Sequence, residues 1–256
     1  MTVRELTSVG EMRGFEQLER EIWGLGDAEL LPASHLVAAV HAGGMAAGAF
    51  DGGELVGFVC GFAAYHPEWS CPNGLHSHML GVLPEYRGQG VGKELKKFQR
   101  MWCLERGLPW MTWTFDPLQA KNARLNLEHL GVTVSEYRVN EYGTLGGDLN
   151  AELPTDRLLA FWVLAEAKVT PTLRTKRLPK ALLRSPGNQP EKNFVPAPRV
   201  LAEVPADITR LIQENPSLAV KWRLATREVF QHYFKLGYAA TRFINTSYLL
   251  EAKNEM

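Results

Sequence analysis

The chain has 256 residues, 45% hydrophobic and 22% charged, which places it among ordinary globular proteins and excludes disordered, collagen-like and coiled-coil classes. Twenty-eight basic residues balance twenty-eight acidic ones, so no overall field favours nucleic acid or an anionic membrane as partner. The long apolar run Glu54–Tyr65 is broken by glycines and falls well short of the ~20 residues of a spanning helix. An acidic residue stands at position 5 with no apolar signal core, and the three cysteines lack metal-ligand spacing. A cytoplasmic protein with reduced thiols is therefore expected.

Residues 2–8 alternate as a short strand, and Met12, Phe15, Leu18, Ile22 and Leu25 then recur at helical spacing. A second helix is predicted from Pro32 to about His41, stopped by Gly43-Gly44. Asp51-Gly52-Gly53 separates two apolar runs as a hairpin turn, because Asp-Gly supplies the positive φ of a tight loop. Leu75 to Leu83 reads as the next strand, ended by Pro84. Val91, Leu95, Phe98 and Trp102 mark a helix with one buried stripe, and Trp110 to Phe115 a strand. Asp116-Pro117-Leu118-Gln119 has the order of a capped helix start, with Asp116 as N-cap of a helix closing at Gly131. Two further strands cover 132–139 and 157–164. Between Lys168 and Arg199 prolines and unpaired basic residues, including Arg174, Lys176, Arg177, Lys180 and Arg184, predict a linker or surface loop. Order returns with a strand at 200–204, two helices ending at Gly237, and a final strand over 238–250. Phe230 to Tyr248 weakly echoes Leu125 to Val139, each having a helix, Leu-Gly and an aromatic strand.

The chemistry lies in Leu80-Gly81-Val82-Leu83-Pro84-Glu85-Tyr86-Arg87-Gly88-Gln89-Gly90-Val91-Gly92-Lys93. A strand, a proline stop, a glycine-rich turn and a helix start form an anion cradle: glycines admit close backbone approach, and the helix N-terminus offers unpaired N–H groups and the positive end of its dipole. A phosphorylated ligand is implied. The P-loop pattern fails, since Arg87 stands at its first glycine and Glu94 follows Gly92-Lys93. The dinucleotide fingerprint fails too, because counting from Gly88 its last glycine is Lys93.

What remains, Arg87-x-x-Gly90-x-Gly92 after a strand ending in Val82-x-Pro84, resembles the pyrophosphate-binding motif of the GNAT acyltransferase superfamily. The resemblance extends over residues 1 to about 165 and implies a mixed α/β GNAT fold there; composition makes 166–198 a proline-containing linker or surface loop, and 199–256 is expected to be an α/β extension packing on the first domain. It also implies acetyl-CoA or another acyl-CoA as co-substrate and no metal. By position, Arg87, Gly88, Gln89, Gly90, Val91, Gly92 and Lys93 would hold the pyrophosphate, the backbone of Gly81 and Val82 would pair with pantetheine, and Asn122 would lie beside its arm. A backbone N–H near Val82 would donate to the thioester oxygen, where charge develops. One departure is evident: many members carry a tyrosine four residues before the glycine that closes the second motif, and here Gly131 minus four is Leu127.

An amine with a pKa near ~10 is mostly protonated at neutral pH, so a base is needed close to the acyl carbon. His76, His78, Glu68 and Glu85 are nearby in sequence, and His78 is favoured. In an unbroken strand His76 and His78 would share a face with Leu80 and Val82, a register that a bulge would change. Tyr142, Tyr137 or a water would replace the missing acid. Asp116 is explained as a cap, and no third ligand accompanies the histidines to make a zinc site. The expected function is N-acyl transfer to a primary amine of a small molecule such as an amino acid, with homodimerisation left open. The rival is a non-catalytic acyl-CoA-binding module.

Overall fold

The computed structural model describes residues 1–143, 153–165 and 178–252. Arg174, Lys176 and Arg177 of the expected linker lie outside the described residues. The chain divides into two compact units, the first containing Met1–Trp113 with residues 163–165, the second residues 114–143, 153–162 and 178–252 among those described.

The first unit is built from β1 (Thr2–Glu5), α1 (Val9–Trp23), α2 (Ala33–His41), β2 (Met45–Asp51), β3 (Glu54–Tyr65), β4 (Asn73–Val82), α3 (Val91–Glu105) and β5 (Trp110–Phe115), the last crossing into the second unit at Thr114. The strands run in the order β1-β2-β3-β4-β5, antiparallel as far as β4, with β5 parallel to β4. Helix α1 starts on a reciprocal capping box between Ser8 and Glu11 and stops at Gly24, whose φ of 66° takes the left-handed region. Its apolar stripe packs on β3, with the Phe15 ring 3.9 Å from that of Phe58 and Trp23 edge-on to the same ring at 5.4 Å. Helix α3 covers the opposite face: Leu80 approaches Gly92, and a Cβ on Gly81 would instead strike Phe58 and Ile22. Glycine at 81 lets β3, β4 and α1 close together without a void.

The second unit contains α4 (Ala120–Ala123), a π-helix over Arg124–Leu130, β6 (Thr133–Arg138), β7 (Arg157–Val163), β8 (Lys180–Arg184), β9 (Pro190–Lys192), β10 (Arg199–Glu203), α5 (Ile208–Glu214), α6 (Pro216–Lys235), β11 (Tyr238–Ile244) and β12 (Ser247–Ala252). Its strands lie in the order β7-β6-β11-β12-β10-β8-β9, with β8 and β10 parallel and the other neighbours antiparallel. Trp222, Phe230, Tyr233, Phe243 and Tyr248 are all buried and supply its core, Tyr248 standing edge-on to both Phe230 and Phe243.

Three expectations are corrected here. Asp116 is not the N-cap of the next helix, which begins at Ala120 behind Gln119. Asp116 instead accepts the Leu118 N–H in a local turn and forms a two-bonded ion pair with Arg223 of α6. The described part of the predicted linker forms the hairpin β8–β9 rather than a loop. The final strand is likewise a hairpin, turned at Asn245 with φ 55°.

Candidate active site

The anion cradle folds as its residue types require. After Val82 the Leu83 N–H is taken by the Val56 carbonyl, and a single 3-10 turn at Pro84–Tyr86 breaks the strand. Gly88 and Gly90 then hold φ of 79° and 88°, a region costly for any residue with a Cβ. Open space lies where their Cβ atoms would be, so the turn's outer surface is backbone. Gly90 is the N-cap of α3, and among the described residues no side chain caps that end. The first-turn N–H groups of Val91, Gly92 and Lys93 therefore point outward unpaired, with the helix dipole behind them. Arg87 is exposed, its Nε donating to the Val82 carbonyl at 3.0 Å, and Gln89 donates to the Glu85 carbonyl at 2.8 Å. These bonds fix the turn while the remaining guanidinium donors face solvent. In charge and donor type this turn is suited to a phosphate-bearing anion.

Leading into the cradle, β4 runs on beyond its pairing with β5. Among the described residues the two strands pair only at Leu75↔Met111 and His76↔Thr112, although β4 continues to Val82 and β5 to Phe115. In this register β5 ends opposite Met79, so the β5-facing backbone of Leu80–Val82, with the predicted pairing residues Gly81 and Val82, has no β5 residue across from it.

A bulge stands just beyond the last paired residues. Cys60 pairs with Met79 and Gly61 with Ser77, so His78 is the additional residue on β4. The bulge corrects the shared-face expectation: Ser77 and Leu80, an odd number apart, both turn toward α3. His76 pairs with Phe62 and brings Nδ1 to 3.0 Å from Thr112 Oγ1, away from α3. The His78 ring packs 5.0 Å from Phe62, on the same side. The two histidines remain neighbours, whereas Leu80 and Val82 face the other way. Partial desolvation lowers the His78 pKa below the ordinary imidazole value, so this ring is neutral at pH 7.

Asn122 and Tyr142 belong to the second unit. Asn122 is exposed on α4. The Tyr142 hydroxyl lies 2.7 Å from Thr114 Oγ1, with the Arg157 guanidinium 5.3 Å from its ring. Tyr137, the other acid considered, donates its proton to Asp156, and burial followed by that carboxylate's charge raises its pKa far above the phenol range. It is a poor donor to a thiolate. Leu127, at the position of the family's tyrosine, is buried in the π-helix.

Sequence reading missed Lys96, Gln99 and Ser77, a buried polar cluster behind the bulge. The available signal was Gln99 standing at i+4 from Leu95 within an apolar stripe. Among the described residues no group of three or more histidines, cysteines or carboxylates is placed to hold a metal, and no helix is long and apolar enough to cross a membrane.

The family described as Acetyltransferase (GNAT) matches residues 12–131. No curated protein matches the chain in sequence. Among solved structures, the chain is similar to an aminoglycoside 6'-acetyltransferase type Ii, at TM-score 0.50 and 19% identity over 66% of this chain and 100% of that one. It is also similar to the ribosomal-protein-S18-alanine N-acetyltransferase from Escherichia coli, at TM-score 0.50 and 16% identity over 67% of this chain and 99% of that one. At these identities the structures speak for the fold. The family match spans the bulged strand and the uncapped glycine turn, and on it residues 12–131 are a GNAT-family acetyltransferase domain, a family whose chemistry is acyl transfer from acyl-CoA.

Proposed function

We propose that the protein is an N-acyltransferase that moves an acetyl or other short acyl group, succinyl included, from acyl-CoA to a primary amine of a small molecule such as an amino acid, by direct transfer in a ternary complex. The observation that carries this reading is the end of β4–β5 pairing at His76/Thr112, on the strand that leads into the uncapped cradle at Gly88–Lys93. A pyrophosphate at the cradle would direct pantetheine along the β4 edge that extends beyond β5, toward the bulge.

At the thioester, the amine nitrogen attacks the acyl carbon, a C–N bond forms, and the C–S bond breaks as the thiolate leaves. The oxyanion formed on the way is stabilised by a backbone N–H of the β4 segment beyond β5. A neutral His78 is suited to receive the proton that the attacking nitrogen sheds, directly or through water. Tyr142 is the proposed donor to the departing sulfur, and Asn122 the proposed neighbour of the pantetheine arm. The three unpaired cysteines, two of them buried, support a reducing compartment such as the cytoplasm.

A second reading has its own observation. Buried Leu127 supplies no proton where the family's tyrosine would stand, which favours a non-catalytic acyl-CoA-binding module. Calorimetric titration with coenzyme A, acetyl-CoA and succinyl-CoA, followed by thiol-release assays against an amino-acid panel, separates the two. Micromolar binding with acceptor-dependent release supports the enzyme. Binding without release supports the module, and failure to bind any of the three rejects the cradle assignment. Sedimentation of the same samples reports whether a homodimer forms.

A further inference from the structure

Behind the β4 bulge the first unit buries a lysine among neutral partners. Lys96 of α3 is 4% exposed, and its Nζ donates to Ser77 Oγ at 2.7 Å and Gln99 Oε1 at 3.2 Å while lying 3.9 Å from the Trp113 ring centroid. The Ser77 hydroxyl donates to the same Gln99 oxygen at 2.9 Å. Gln99 Nε2 in turn contacts the Cys60 carbonyl and Met45 Sδ, each at 3.4 Å. Among the described residues no carboxylate lies within 4.0 Å of Lys96. Its surroundings come from β3, β4, β5 and α3, and the titratable groups facing it are the Cys60 and Cys103 thiols. Burial lowers its pKa to about 7.

An ammonium without a counter-ion is an expensive core residue, and a methionine would fill the same space at lower cost. The placement of its partners suggests what it does. Ser77 and Cys60 flank the bulge on its two strands, with His78 the additional residue between the pairs Ser77↔Gly61 and Met79↔Cys60. A bulge disrupts ladder hydrogen bonding, and here the Gln99 amide reaches the carbonyl of Cys60, the residue paired with Met79 on one side of the bulge. Lys96 lies on the helix whose first turn forms the cradle, one turn beyond Lys93. The network therefore joins two parts of the site that the sheet alone leaves unconnected.

We infer that Lys96, Gln99 and Ser77 are positioning residues that hold the β4 bulge, and with it the His78 imidazole, in fixed register with the cradle helix. The kinetic part of this inference rests on the acyl-transfer reading. The structural part does not, so its test begins with a titration that needs neither acyl-CoA nor acceptor.

In Lys96→Met the stem volume is retained and the charge lost; in Ser77→Ala only one hydroxyl is lost, which makes it the milder variant. NMR of the His78 ring in the full-length protein should show its pKa moving toward ~6.5 in both variants, as the ring leaves its place against Phe62. With acyl-CoA and an acceptor, kcat should fall about tenfold while coenzyme A affinity changes less than about twofold, the split expected when only the reacting geometry is lost. An unchanged His78 titration in folded Ser77→Ala overturns the inference, as does a loss of coenzyme affinity as large as the loss of kcat. A shifted titration in a protein that transfers no acyl group counts against the acyltransferase reading alone.

Discussion

At Gly90 strain and charge can be tested separately. The residue holds φ 88° with open space where a Cβ would be, so alanine there adds backbone strain of about 1–2 kcal/mol and little else. Glutamate adds a carboxylate in front of the cradle's N–H groups. Gly90→Glu is expected to abolish coenzyme A binding in calorimetry while far-UV circular dichroism stays native, and Gly90→Ala to bind with a lower melting temperature; unchanged affinity in folded Gly90→Glu would remove the cradle from the site. His78 makes a second prediction. Its base form is present above a pKa lowered by desolvation, so kcat/KM should fall as pH drops through a midpoint below ~6.5. His78→Ala should lower kcat by about 10²-fold or more and erase that limb; a variant that keeps the wild-type pH–rate profile would show that another group takes the proton. The glycine turn was legible because its conformational demand is local and only glycine meets it cheaply. The bulge was not, since it is set by Gln99, Lys96 and Ser77 meeting across 19 to 39 residues of chain.

Elements with a strong periodic stripe follow the sequence closely, as α1 and α3 do, because burying the stripe stabilises the same boundaries that the pattern marks. The region after β5 departs from it. Asp116-Pro117 carries the composition of a helix start, yet Asp116 is drawn into the pair with Arg223, which is 1% exposed and 107 residues away. A distant ion pair thus overrides local capping, and the helix begins three residues later than that cap predicts and continues as a π-helix. The weak echo between the two halves of the second unit has a structural counterpart. A helix ends at a left-handed glycine before β6 and again before β11, these strands pair through Val134↔Ala240, and β7 and β12 flank them. The Asp116 pair yields the prediction at this scale. Arg223→Met leaves the carboxylate without its partner and should cost about 3–5 kcal/mol in urea unfolding, with Asp116→Asn in the same protein restoring part of it. Arg223 lowers the Asp116 pKa against the opposing effect of burial. The stability it contributes is therefore full above the unfolded value of ~3.9 and lost as pH falls through the lower folded value. A wild-type urea midpoint in Arg223→Met would show that the pair contributes nothing net.

At the scale of the whole molecule, the cradle, the bulge and both histidines all lie in residues 1–113, and this compactness in sequence is why the strand and glycine turn of the candidate site could be read together. The unit boundary was not readable. Composition favours a division near residue 165, where prolines and basic residues gather, whereas the compact units divide within β5. The reason is that β6 and β7 share their unit with the C-terminal third of the chain. The Tyr248 hydroxyl donates to the Pro117 carbonyl, Arg223 holds Asp116, Arg227 holds Asp156, and β11 pairs along β6. A fragment ending at residue 165 would strip the edge of β6 and leave Asp116 and fully buried Asp156 without their guanidinium partners. Two such losses, about 3–5 kcal/mol each, match the total stability of an ordinary domain of about 5–15 kcal/mol. The fragment 1–165 is therefore expected to lack a cooperative thermal transition and to be recovered largely insoluble. A fragment that unfolds cooperatively and binds coenzyme A as tightly as the full chain would instead make residues 1–165 an independent domain and the rest a true appendage.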